Sequence, residues 1–369
     1  MKAGFNLDKI RESCYPVGAK TMGFNVLTQG GKMERSDGSN SIRVALVQRA
    51  PVFLNLEESL TAAADHIREA AANGAGVVIF PETWLPGYPV WLDHAPASAR
   101  WDETGAKQLY RLLQENAVAV GDGAFQTLAE LAENNGVYLV MGCHERAGNT
   151  LYNSQLFFGP RVGTYFCRRK LMPTYNEKMI WGRGDGSGLH TLETPAGPLG
   201  GLICWEHWMP LARAAMHARG EVIHVAQWPS VGELHQLASR HYAFEGSCFV
   251  LACGTVLSKA QVLDGFDSLG RDLPEAREML VSMGDKEWVM TGGSCIIGPD
   301  AGFVQEPVVG REDILYGDLD PDRIKEAGLL MDSNGHYSRP DIFTLSVNTR
   351  PMENVCFEAG ASALMEDLT

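Results

Sequence analysis

Two residues stand where a buried strand ends and could together do covalent chemistry. Cys204 directly follows the apolar run Leu199–Ile203, and Glu82 follows Val77–Phe80 with only Pro81 between. A thiol paired with a carboxylate is a nucleophile with a base, the combination that makes and breaks covalent acyl-type intermediates. A carboxyl group emerging from buried apolar residues is partly desolvated, which raises its proton affinity and suits it to acid–base work. Taken alone, each residue also has an ordinary structural reading: a strand-end cysteine as a small buried hydrophobe, and the glutamate as a cap or salt-bridge partner. The flanks of Cys204 weigh toward chemistry. Trp205, Glu206, His207 and a Pro210-led helix follow it, so the thiol lies close to a helix N-terminus whose positive end favours the thiolate. The backbone N–H just after such a nucleophile is placed to donate to a developing anion. A cation is at hand in the cluster Arg168, Arg169 and Lys170, although so short a run ordinarily marks a solvated strand end.

The elements that must position these groups alternate between strand and helix. Val44 to Val47 reads as a strand, followed by a helix with Leu56, Leu60, Ala63, Ala64 and Ile67 on one face, started by an Asn55/Glu58 capping pair and stopped at Gly74. The run Val77 to Phe80 is apolar on both faces and belongs inside a sheet covered on both sides. A helix with Phe125, Leu128, Ala129 and Ala132 precedes strand Val137 to Met141, and further strands follow near Ser154 to Phe158 and Gly163 to Cys167. Strand Leu199 to Ile203, a helix with Leu211, Ala214, Ala215 and Ala218, a Gly220 stop and strand Val222 to Ala226 repeat the same order. This alternation predicts a layered α/β domain with its reactive groups in a crevice at the carboxyl ends of the strands. The domain is expected over residues 41–330. Residues 1–40 read as a flexible leader, 331–369 as a C-terminal extension contributing to oligomer contacts, and Ala260 to Val289 as a long surface excursion without clear period.

Composition bounds the function. At 369 residues, 45% hydrophobic and 21% charged, the chain can bury a large core. A formal charge of −14 disfavours partners held by counterion release, so nucleic acid is not expected. The 8 cysteines are irregularly spaced, which predicts reduced thiols rather than a disulfide scaffold. No apolar run reaches membrane-spanning length, and Met1 to Lys20 holds no continuous apolar segment. A cytoplasmic protein without membrane partners is the expectation.

Three blocks, in order, carry a resemblance to a known family: Phe80-Pro81-Glu82-Thr83, Arg169-Lys170-Leu171-Met172-Pro173-Thr174 and Cys204-Trp205-Glu206-His207. The chain resembles the nitrilase, or carbon–nitrogen hydrolase, superfamily over about residues 42 to 345. That resemblance implies a four-layer α-β-β-α sandwich and a Glu-Lys-Cys triad of Glu82, Lys170 and Cys204. It also implies a second glutamate, Glu177, supporting Lys170, with no metal or organic cofactor. Cys-Trp-Glu-His, the Trp181-Gly182 pair and the block Gly335 to Asp341 are similar to the nitrilase branch, which implies hydrolysis of a small organic nitrile through a thioimidate and thioester on Cys204. An amidase or carbamoylase of the same superfamily, or a cyanide hydratase or dihydratase, would share the triad. The nitrile class, whether aliphatic, arylacetonitrile or aromatic, stays open. The resemblance also implies a homodimer that builds larger homo-oligomers or spirals.

A nitrile needs an apolar, mostly dry pocket, and Tyr88, Trp181, Trp205 and Trp228 are the aromatic candidates for its walls, ordinary core packing being the competing reading. The run Gly182-x-Gly184-x-Gly186-x-Gly188 follows no buried strand and opens no helix, so it reads as a flexible turn rather than a phosphate loop. Cys204 with His207, and Cys143 with His144, lack the second pair a closed zinc site requires. His207 and His241 read as satisfied structural histidines rather than bases, and His336 has no assigned role.

Overall fold

The structure, a computed structural model, describes residues 41–352. The expected leader, 1–40, and the end of the expected extension, 353–369, lie outside the described residues. The chain divides into two units, and the described residues 41–350 fall in the one that carries every element below. In chain order these are β1 (Ile42–Gln48), α1 (Leu56–Ala72), β2 (Val77–Ile79), α2 (Trp91–His94), α3 (Thr104–Glu115), α4 (Gly123–Asn135), β3 (Tyr138–Ala147), β4 (Thr150–Phe158) and β5 (Tyr165–Arg169). Then come β6 (Leu192–Thr194), β7 (Gly197–Ile203), α5 (Pro210–His217), β8 (Ile223–Gln227), α6 (Glu233–Gly246), β9 (Phe249–Cys253) and β10 (Val256–Ser258). The chain closes with α7 (Lys259–Ser268), α8 (Pro274–Val281), β11 (Trp288–Ile297), β12 (Phe303–Val309), β13 (Asp313–Leu319) and α9 (Asp322–Ala327).

Among the described residues the strands make two sheets. One has the order β13-β1-β2-β3-β4-β5, the other β10-β11-β9-β8-β7-β6 with β12 beside β11. Each has a parallel centre, β1-β2-β3 in one and β7-β8-β9 in the other, flanked by antiparallel edges. Alternation along the central strands decides what each face covers. Val44, Leu46, Val77 and Ile79 join Leu199, Val225 and Leu251 in a core between the sheets. Ala45, Val47, Val78 and Phe80 turn outward onto Ala63 and Ile67 of α1 and Leu128 of α4. On the far side Leu202, Ala226 and Val250 meet Ala212 and Met216 of α5 and Ala238 and Tyr242 of α6. Both faces of the parallel strands are therefore covered, and the four-layer α-β-β-α sandwich is the fold that forms.

Local signals explain the element ends. The Asn55 side chain accepts from the Glu58 N–H at 3.2 Å to start α1, and Pro210 opens α5 as its first residue. The sheets are pinned across the seam at their carboxyl ends. Gln227, last in β8, donates Nε2 to the Phe80 carbonyl at 2.6 Å, and Gln155 of β4 donates to the Leu202 carbonyl at 3.3 Å.

Residues 260–289 depart from the expectation of a surface excursion. They fold into α7 and α8, whose Val262, Phe266, Ala276, Met279 and Leu280 are buried against Leu109 and Leu112 of α3 and against Trp91. The apolar spacing is helical but lasts little more than two turns in each helix, too short a stretch to stand out as a period. After α9 no regular element follows among the described residues, and Leu329, Leu330, Tyr337, Ile342 and Phe343 are exposed. No helix among them is long and apolar enough to cross a membrane.

Candidate active site

Glu82 leaves β2 through a tight turn. Thr83 takes φ 46°, a left-handed conformation that a β-branched residue adopts only when its surroundings enforce it. Gly142 of β3 makes the turn possible, since a Cβ there would lie 1.9 Å from the Pro81 carbonyl oxygen. Glu82 is fully buried and its Oε1 accepts from Asn153 Nδ2 at 2.6 Å and from Lys170 Nζ at 2.8 Å. Its Oε2 has no hydrogen-bond partner among the described residues.

Lys170 stands one residue past β5, and its backbone N–H is held by the Asn153 carbonyl at 2.8 Å. Its ammonium reaches Glu177 Oε2 at 2.7 Å as well as Glu82. Glu177 lies in a one-turn 3-10 helix, Tyr175–Met179, with Oε2 also capping the Thr174 N–H at 2.6 Å and Oε1 accepting from Tyr88 Oη at 3.1 Å. Burial works against the ammonium, but the facing Cys204, Glu82 and Glu177 outweigh it and hold Lys170 charged far above its ordinary range.

Cys204 begins a 3-10 turn, Cys204–Trp208, directly at the end of β7, and also carries a left-handed φ of 53°. Its Sγ, a Glu82 carboxylate oxygen and a Glu177 carboxylate oxygen lie within 4.8 Å of one another. Thiol, carboxylate and ammonium from three separate strand ends thus converge in one buried place. Burial, helped by the Glu82 charge, pushes the Cys204 thiol well up, with Lys170 and the Trp205 backbone N–H opposing. Burial also pushes Glu82 up to about 7, with Lys170 opposing and Glu177 adding to the rise. The resting pair is therefore a protonated thiol beside a carboxyl group poised to exchange a proton near neutrality.

Glu206 ties the strand ends together. Its Oε1 accepts from the Leu171 N–H at 2.6 Å and its Oε2 from the Ile203 N–H at 2.6 Å, so one carboxylate holds the residue after Lys170 and the residue before Cys204. Arg168 Nη2 reaches both oxygens at 2.7 Å in a fully buried ion pair. Burial would raise the Glu206 carboxyl, but Arg168 and the two backbone donors win and hold it below the usual range.

A cleft of about 330 Å³ opens onto Cys204, walled by Tyr88, Val90, Trp205 and Met290, with Asp93 and His235 among its polar residues. Of the aromatic candidates, Tyr88 and Trp205 line it. Trp181 and Trp228 do not: Trp181 is buried behind Tyr88 with its Nε1 on His144 Nδ1 at 3.0 Å, and Trp228 is buried and stacks on His207 at 4.7 Å. Adjacency to a reactive block located these residues but could not orient them. The glycine run 182–188 is not the loose turn expected of it. A Cβ at Gly184 would meet the Arg169 carbonyl oxygen at 2.3 Å and one at Gly188 the Arg168 side chain at 2.9 Å, so the glycines allow close packing on β5. The block Gly335 to Asp341 is largely exposed and does not line the cleft. Asn153, Asp93, His235 and Met290 belong to the site yet carry no local sequence signal.

The family model for carbon-nitrogen hydrolases matches residues 43–328. A nitrilase of Pseudomonas syringae pv. syringae is 38% identical over 327 residues, covering 84% of this chain and 90% of its own. Nitrilase 3 of Arabidopsis thaliana is 38% identical over 321 residues, covering 87% of this chain and 91% of its own. Among solved structures, Saccharomyces cerevisiae Nit3 shares the fold with a TM-score of 0.57 at 19% identity, over 80% of this chain and 96% of that one. A buried Glu, Lys and Cys on three strand ends of this sandwich fit that family, and the chain belongs to the carbon-nitrogen hydrolases, on their nitrilase branch.

Proposed function

We propose that the protein hydrolyses a small organic nitrile to its carboxylic acid and ammonia, with Cys204 as nucleophile, Glu82 as general base and acid, Lys170 as fixed cation and Glu177 as the group that holds Lys170. The observation that carries this is Lys170 Nζ at 2.8 Å from Glu82 and 2.7 Å from Glu177, beside the Cys204 sulfur. Glu82 takes the thiol proton as sulfur adds to the nitrile carbon, and the developing charge on nitrogen meets Lys170 and the Trp205 backbone N–H. The thioimidate gains a proton from Glu82. Water, deprotonated by Glu82, adds next; Glu82 passes that proton to the nitrogen, the tetrahedral hydroxyl gives up its own proton to the same nitrogen as C=O forms, and the C–N bond breaks to release ammonia and leave a thioester. A second water cleaves the thioester and returns the proton to sulfur, so two waters are consumed for each acid and ammonia formed.

A cleft of about 330 Å³ has room for an organic substituent beyond the cyano group, which supports a nitrile larger than hydrogen cyanide. The nitrilase names of the relatives favour nitriles over amides. Supplying matched nitriles and amides and following ammonia release tests the reading, and turnover of amides alone would overturn it. Cys204→Ala is expected to abolish turnover with the far-UV circular dichroism unchanged.

The same reading includes self-association and a cytoplasmic setting. Arg213 of α5 pairs with Glu245 of α6 at 2.7 Å, and the two helices expose Leu211, Leu234, Leu237 and Phe244, a surface suited to a second copy in a homodimer from which larger oligomers grow. A monodisperse monomer in light scattering would refute it. Six free cysteines among the described residues support a reducing compartment.

A further inference from the structure

Behind the nucleophile lies a buried polar chain that the proposed mechanism does not use. His207 Nδ1 is 2.8 Å from the Cys204 carbonyl oxygen, His207 Nε2 is 3.0 Å from His224 Nε2, and His224 Nδ1 is 3.0 Å from both carboxylate oxygens of Glu221. Tyr242 Oη donates to Glu221 Oε2 at 2.5 Å. The chain is sealed from water: His224 and Tyr242 are fully buried, and a Cβ at Gly200 of β7 would fall 1.8 Å from Glu221 Oε1.

We propose that Glu221, His224 and His207 form a chain of ordered protons that positions the backbone of Cys204 for reaction. The inference rests on the reading of Cys204 as nucleophile. The order follows from the atoms. A carbonyl oxygen only accepts, so His207 carries its proton on Nδ1 and presents a bare Nε2. His224 then carries its proton on Nε2, leaving Nδ1 bare toward Glu221, and Glu221 must be the protonated acid that donates to it. One proton per group satisfies every link. Burial supports this by pushing Glu221 up to about 7 against Tyr242, His217 and Arg168, and by holding both imidazoles neutral. The charged and titratable neighbours of the chain are Arg168 and Glu206, His217 of α5, Tyr242 of α6 and Cys248.

Removing the Glu221 proton cannot be absorbed. His224 with a single proton can serve Glu221 or His207, not both. If it turns to Glu221, His207 must move its own proton to Nε2 and abandon the Cys204 carbonyl. Every arrangement loses a link, and the last link restrains a residue held at φ 53°. Such a conformation is unfavourable for a residue with a side chain and persists only where the surroundings fix it. His207, His224 and Glu221 are therefore positioning residues acting through the Cys204 main chain.

The test compares wild type with His207→Phe and Glu221→Gln, measuring nitrile turnover from about pH 6 to 9 and, separately, the rate of Cys204 alkylation by iodoacetamide. His207→Phe keeps the ring stacked on Trp228 but cannot bond the carbonyl. Its kcat is expected to fall roughly 10–100-fold with KM little changed, and alkylation to slow. Gln at 221 copies the protonated acid, its amide donating to His224 and its oxygen accepting from Tyr242. It is expected to keep kcat near neutrality within about threefold and to lose the alkaline decline of the wild type. Wild-type kcat and alkylation in His207→Phe, or an alkaline limb in Glu221→Gln that coincides with the wild type, overturns the proposal. Absent nitrile turnover with alkylation still dependent on His207 would sink the nitrilase reading and leave the chain standing.

Discussion

Replacing Glu206 by Gln is a sharp test of how the site is held together. The amide is nearly isosteric, so packing is preserved while the charge and one acceptor are lost. Both oxygens now accept a backbone N–H at 2.6 Å and Arg168 at 2.7 Å. Either orientation of the amide sets an NH2 group against the N–H of Leu171 or Ile203, and Arg168 keeps one neutral oxygen at 2.7 Å and Gln155 at 3.4 Å but loses its counter-charge. An uncompensated charge in a broken buried pair costs about 3–5 kcal/mol, and an unsatisfied buried N–H a further ~1–3 kcal/mol. Against a typical domain stability of about 5–15 kcal/mol the loss is severe. Urea unfolding followed by far-UV circular dichroism should show a clearly lower midpoint, and turnover should fall with it. The double variant Arg168→Met with Glu206→Gln removes the stranded cation and should recover about 3 kcal/mol of the loss. The sign with pH is fixed: a carboxyl held below its unfolded value stabilises above that value, near 4.3, and its contribution fades as pH drops through the folded one. The Gln variant should therefore lose part of the acid sensitivity of the wild type. A Glu206→Gln protein with the wild-type midpoint would refute the reasoning.

Glu82 must be deprotonated to accept the thiol proton, so kcat/KM should rise roughly tenfold per pH unit on the acid side until about 7, where the decline set by Glu221 takes over; a flat acid limb in ammonia-release assays would contradict this. Tyr88→Phe removes the 3.1 Å bond to Glu177 and should lower kcat/KM by a factor of about 2–12, the equivalent of about 0.5–1.5 kcal/mol; unchanged kinetics would show that the hydroxyl does nothing there. Gly142→Ala forces its Cβ against the Pro81 carbonyl and should cost about 1–3 kcal/mol in thermal unfolding, with turnover lost more steeply because the Glu82 turn takes the displacement; a fully active, equally stable variant would count against that contact.

Glu82 and Cys204 stand out in the sequence because the strands that carry them are buried on both faces, whereas Lys170, in a short basic run, is marked only by the family resemblance. The ends of those strands are abrupt breaks from continuous apolar residues to a single polar one. The supporting groups could not be read that way. Asn153 and His224 sit inside strands, where a polar residue facing inward resembles one facing water, and their partners are remote along the chain. His144 is similar, with Nε2 on the Gly87 carbonyl at 3.0 Å and Nδ1 accepting from Trp181, contacts that fix a neutral ring. Trp181 and Trp228 were expected at the pocket for the same reason as Trp205, nearness to a reactive block, but strand and turn direction put both behind it. Helices α7 and α8 carry no visible period because each buries only a short face. The glycine run looked loose because composition reports conformational freedom, not the neighbour that occupies the missing side chain's space.

The seam where Gln227 and Gln155 cross from one sheet to the other separates what must stay fixed from what is free to vary. A slip of one residue between the layers, about 3.3 Å, would carry sulfur and carboxylate out of reach of each other. Val90, Ser230, Val289 and Met290 line the cleft without taking part in those crossings. Reshaping the cavity to admit bulkier or leaner guests can therefore proceed by exchange at these wall positions, while the clasp beneath is left untouched.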